Sequence, residues 1–179
     1  MSTSRKTDFS ILGAIGALWG VAGLSLIFGR GLFCLYPYVE ELECSTFGWI
    51  HWAALVASLL FMGYAEGYKG FHLKFSPRAA ARARYLKQNP TLVRILLAPL
   101  FCMGFFHATR KRKIVAYSLT TMIILLIVLV RQLPQPWRGI IDAGVLLGLG
   151  WGLVSVWFFS ARAFFGKDYD VCPETPDAG

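Results

Sequence analysis

The sequence predicts an all-α, polytopic membrane helical bundle: four transmembrane helices plus one embedded segment, re-entrant or oblique. Three observations carry this. Apolar residues gather in long blocks, charged residues are confined to short stretches between them, and the basic residues are spread very unevenly along the chain. The composition is 56% hydrophobic with a mean hydropathy of +0.54, against about half apolar for an ordinary soluble domain. Soluble amphipathic helices would carry a polar face, and these blocks have none.

The first block, Ile11 to Phe28, follows Arg5 and Lys6 as the core of a signal peptide would. It is long for that role and is followed by Gly29, Arg30 and Gly31, not by a small-residue cleavage site, so an uncleaved span is expected. Further blocks run from Phe47 to about Tyr64, Leu92 to Phe106, Ile114 to Val130 and Ile140 to Phe159. About 20 helical residues cross the hydrocarbon core. The Leu92 block is the exception, being short, with Pro99 near its middle and Arg94 near its start.

Charge sets the topology. Eleven of the eighteen Lys and Arg residues lie from Lys69 to Lys113, and no Asp or Glu occurs between Glu66 and Asp142. Both flanks of the Leu92 block are therefore basic, and excess Lys and Arg stay cytoplasmic. The block is read as dipping into the bilayer or packing obliquely, since non-helical backbone at that depth must be buried in protein or face water. Both termini then lie inside. The acidic Gly31–Thr46 loop (Glu40, Glu41, Glu43) and the Leu133–Trp137 link lie outside. The chain divides into one membrane-embedded domain, 1–167, and an acidic cytoplasmic tail, 168–179, whose composition reads as disordered.

Within the basic loop, Ser76 and Pro77 suit an N-cap and first helical position. A short helix lying on the membrane surface is expected, with Arg78 and Arg82 toward phosphates. Lys74, Arg78, Arg82, Arg84, Arg110, Lys111 and Arg112 are the candidate anionic-lipid or phosphate-binding residues. The net charge of +8 points to anionic phospholipid in the bilayer, not to nucleic acid.

Candidate polar groups in the membrane are Glu66, His51 and Asp142, because ionisable groups in lipid usually face a bundle interior or water. Glu66 lies between Tyr64 and Tyr68 among Gly63, Gly67 and Gly70. It is expected to pair with Lys69 or a loop arginine, or else to bind a cation. His51 and Asp142 fall at outer span ends where they could meet, with Arg131 or Arg138 as a third partner. Cys34 and Cys44 bracket the outer loop and are expected to form a disulfide. No metal site and no cofactor is predicted: Cys102 and Cys172 fall in separate segments, and His51 and His107 differ in inferred depth. Gly16 with Gly20, and Gly144 with Gly148 and Gly152, are small-residue faces for close helix packing or an oligomer contact.

No motif for phosphate-loop, zinc-hydrolase or serine-hydrolase chemistry occurs, and no catalytic residue is assigned. The leading expectation is a non-enzymatic transporter or channel subunit, or an assembly component of a membrane complex. It would reside in a prokaryotic inner membrane, as a homo-oligomer or with other proteins. The alternative is a membrane enzyme acting on a lipid or isoprenoid phosphate, with Glu66 and His72 or His107 as acid and base. A third reading has the acidic tail folding on the basic loop in competition with anionic lipid.

Overall fold

The computed structural model describes residues 3–44, 47–166 and 169–175, with side chains from 11–42, 47–166 and 169–175. All regular structure among them is helical. Helix α1 spans Thr3–Glu40, followed by a 3₁₀ turn, Glu41–Cys44. Helix α2, Trp49–Met62, runs directly into a π-helix, Gly63–Phe75, and then α3, Ser76–Gln88. Two short helices follow, α4 (Leu92–Leu96) and α5 (Ala98–Met103), then α6 (Arg110–Val130) and α7 (Trp137–Phe165). Three helices, α1, α6 and α7, are long and apolar enough to cross a membrane. At 14 residues α2 falls short on its own, because the chain changes from α to π winding at Gly63.

Two readings are corrected by the length of α1. The stretch after Gly29 is not an open loop: the helix continues through Pro37 to Glu40. Cys34 therefore lies in a helix and is a free, exposed thiol, so the expected disulfide with Cys44 is not formed. The helix still rises about 9 Å between Cys34 and Glu40, which carries the chain away from the short Cα separation a disulfide needs. The side chain of Cys44 lies outside the described residues.

The Leu92 block splits as its composition suggests. It breaks at Leu97 (φ −100°, ψ 28°), with Pro99 in the first turn of α5, where a missing N–H costs nothing. Neither piece is long enough to span.

The chain forms two compact units. The first is drawn from Met1–Leu26, Phe75–Tyr117 and Val156–Gly179, the second from Ile27–Lys74 and Ser118–Ser155. In the first, one face of α1 (Gly13, Gly16, Ala17, Gly20, Val21, Leu24) is buried. A Cβ on Gly16 would meet the Ile95 side chain at 2.9 Å, and one on Gly20 would meet Cys102 Sγ at 2.8 Å. The predicted Gly16 and Gly20 face thus receives α4 and α5. Helix α3 packs on α5 and is the core of this unit, with Ala79, Ala80, Ala81, Ala83 and Leu86 all buried. It is not a surface helix.

In the second unit the Gly144, Gly148 and Gly152 face of α7 receives α2 and the π-helix. Added Cβ atoms there would meet Met62 Cγ at 2.9 Å, Glu66 Cβ at 3.2 Å and Phe71 Cγ at 2.7 Å. The π winding places residues four apart in register, so Tyr64 stacks on Tyr68 (centroids 6.2 Å) and Tyr68 on His72 (5.7 Å).

Candidate functional site

The densest polar cluster in the first unit is built around Arg82, which is fully buried. Its Nε donates to the Phe101 carbonyl at 2.6 Å, and Nη2 donates to the carbonyls of Phe106 and His107, each at 3.0 Å. Nη1 donates to the Pro173 carbonyl at 3.0 Å, and the guanidinium lies 4.3 Å from the Phe101 ring centroid. Burial pushes the Arg82 guanidinium down to about 10 from 12.5, so it stays charged at neutral pH. A buried guanidinium needs this many acceptors, since an unpaired charge in the interior is strongly destabilising. The Phe101–His107 chain can offer three carbonyls because it turns out of helical geometry, with φ +88° at Gly104 and +47° at His107.

The fourth carbonyl comes from the tail. Residues 169–175 lie against this unit. Tyr169 donates its hydroxyl to the Pro77 carbonyl at 2.7 Å, and Arg84 donates to the Tyr169 carbonyl at 3.4 Å. The Thr109 amide donates to the Glu174 carbonyl at 3.0 Å. The Glu174 carboxylate sits between Arg78 Nε (3.4 Å) and Arg112 Nε (3.8 Å). Glu174 itself holds a φ of +51°, and Thr175 is buried. Of the tail, residues 168 and 176–179 lie outside the described set.

The seven candidate phosphate-binding residues therefore divide. Arg82 is enclosed and committed to carbonyls, Arg84 holds the tail backbone, and Arg78 and Arg112 hold Glu174. Lys74, Arg110 and Lys111 are exposed. Arg94 contacts His107, so that histidine belongs to the same cluster.

The three polar membrane candidates are not brought together. Asp142 pairs with Arg138, one turn earlier on α7, at 3.6 Å, and that guanidinium lies 3.5 Å from the Tyr38 ring centroid. His51 Nδ1 instead accepts from the Gly48 amide at 3.1 Å, closing the first turn of α2, and its ring packs on Trp137. Glu66 is half-buried against Gly148. Its expected partner Lys69 lies over the Tyr64 ring, 5.8 Å from the centroid. His72 shares a hydrogen bond with Ser155 at 3.2 Å.

One open groove of about 410 Å³ is lined by Leu12, Pro90, Thr91, Leu92, Val93 and Ile95. Its lining is almost wholly apolar. No family model, no curated protein and no solved structure matches this chain.

Sequence reasoning missed Arg82 as a structural centre and Glu174 as its neighbour. Ala79, Ala80, Ala81 and Ala83 flank Arg82, but Arg78, Arg84 and Lys87 share the helix, so its local sequence does not mark Arg82 for burial.

Proposed function

We propose that this chain is a non-enzymatic, multi-pass component of a membrane complex, crossing the bilayer four times with both termini and the basic loop cytoplasmic. The observation that supports assembly is α6. It is 21 residues long, and only 11% of its most apolar stretch is buried within the chain. Leu119, Met122, Ile123, Ile124, Leu125, Ile127, Val128 and Leu129 are all exposed. A helix apolar all round belongs in lipid or against other transmembrane helices. The fourth crossing is α2 continued by the π-helix, whose aromatic Trp49, Trp52, Tyr64 and Tyr68 suit interfacial depths at its two ends.

The polar clusters support a structural, not catalytic, use of these residues. Arg82 is committed to backbone, Asp142 to Arg138, and His51 to a helix start. The test is blue-native electrophoresis of gently solubilised membranes. Migration with other subunits or as an oligomer, shifted to a monomer by Ile123→Lys or Ile127→Lys in α6, is expected. A lone monomer in the unaltered protein would sink the reading.

A further inference from the structure

The Glu174 carboxylate sits where an anion would, and it fills the place poorly. Three guanidinium groups, Arg78, Arg82 and Arg112, surround this end of the tail, and one carboxylate faces them. Its contacts to Arg78 and Arg112 are ion pairs at 3.4 and 3.8 Å, beyond good hydrogen-bond length. The Arg112 side chain is 9% exposed, and its Nε is buried with no hydrogen bond. The Thr175 hydroxyl is likewise buried and unpaired. A buried donor left unmade is costly, so the docked tail leaves Arg112 Nε for a better ligand to complete, and its own Thr175 hydroxyl would regain water on leaving. The left-handed backbone at Glu174 adds strain that leaving would relieve.

From these observations we propose that Arg78 and Arg112 form a phosphate-binding site for which Glu174 is an intramolecular stand-in, so that the carboxyl-terminal strap and a phosphate group compete. A phosphate monoester carries up to two negative charges and three acceptor oxygens, against one charge and two oxygens on the carboxylate. It can take bidentate bonds from Arg78 and Arg112, as guanidinium forks favour, while the Thr109 amide, now bonded to the Glu174 backbone carbonyl, is released with the strap. Exposed Arg110, Lys111 and Lys113 flank Arg112 at the start of α6, so the site stands at the head of an apolar helix of membrane-spanning length. That is the level at which lipid phosphate lies. The proposal does not depend on the complex proposed above.

The test uses the full-length protein in a neutral detergent, titrated calorimetrically with inorganic phosphate and, separately, with short-chain phosphatidic acid. Glu174→Gln keeps the backbone bonds of the strap and removes the competing charge. It should bind about tenfold tighter than the unaltered protein, because a larger share of molecules has the site open. Adding Arg78→Gln should abolish that gain. A gain for both probes identifies a soluble-phosphate site, and a gain for phosphatidic acid alone identifies a lipid headgroup site. In the unaltered protein, saturating probe should also speed hydrogen exchange at the Thr109 amide as the strap leaves. Equal affinity in Glu174→Gln and unaltered protein, or Thr109 exchange indifferent to both probes, overturns the proposal.

Discussion

Arg82 and Phe101 are joined twice: the guanidinium Nε donates to the Phe101 carbonyl at 2.6 Å, and the same group covers the Phe101 ring at 4.3 Å. The pair ties α3 to α5, and the remaining donors tie both to the Phe106–His107 turn and the tail. A lysine would keep the charge, but its ammonium is a point and cannot reach four carbonyls in separate directions while stacking on a ring. Arg82→Lys should therefore cost about 3 kcal/mol, the loss of two charge-assisted bonds. The corresponding fall in Tm of the detergent-solubilised protein is roughly 6–12 °C for a chain of this size. An unchanged Tm would mean that the cluster contributes nothing to the fold.

Gly20 faces Cys102 so closely that a Cβ would come within 2.8 Å of its sulfur, and Cys102 is fully enclosed. Gly20→Leu should push α1 away from α5, at a cost of about 1–3 kcal/mol for overpacking. The consequence is readable without measuring stability. A membrane-permeant maleimide should label Cys34 but not Cys102 in the unaltered protein, and should label both in Gly20→Leu. Absence of Cys34 labelling before reduction would restore the disulfide that the structure lacks.

The features most legible in the sequence were those set by long runs of residues. Block length placed α1, α6 and α7 in the membrane class, and Pro99 with Arg94 marked the Leu92 block as a segment that does not form one spanning helix. The glycine spacings announced two close-packed faces, although not that Gly16 and Gly20 receive the broken α4 and α5. Features set by single distant contacts were not legible. Whether Arg82 faces phosphate or the carbonyl of Phe101 depends on a turn at Gly104, and nothing in the local spacing of α3 encodes it. The docking of residues 169–175 is not legible for the same reason. The tail's acids and prolines describe a segment that cannot fold alone, yet the partners of Glu174 are arginines 62 and 96 positions earlier (174 − 112 and 174 − 78).

Tyr169 gives the strap a measurable pH dependence. Burial pushes its phenol up from 10.0 to about 12, with nearby Arg162 pulling the other way. The protonated hydroxyl is the form that donates to the Pro77 carbonyl. Because the folded pKa lies above the unfolded one, the stabilisation is complete below pH 10 and is lost as pH rises toward 12. In a tyrosinate absorbance titration, the difference between unaltered protein and Tyr169→Phe should be centred near 12. A difference centred near 10 would show that the ring is solvated and the strap undocked.

The Arg138–Asp142 pair tests the second unit. Asp142 is 7% exposed and Arg138 19% in their side chains, and the Arg138 guanidinium also lies over Tyr38. Two charges desolvated together roughly break even, whereas one left alone is strongly unfavourable. Asp142→Asn should therefore destabilise by about 3 kcal/mol. The double variant Asp142→Leu with Arg138→Met should recover most of that loss, since methionine retains the apolar stem that covers the tyrosine. Thermal unfolding in detergent distinguishes the outcomes. A double variant no more stable than Asp142→Asn would show that the pair is needed for its charge and not merely tolerated, which would reopen a role for Asp142 in moving ions or protons.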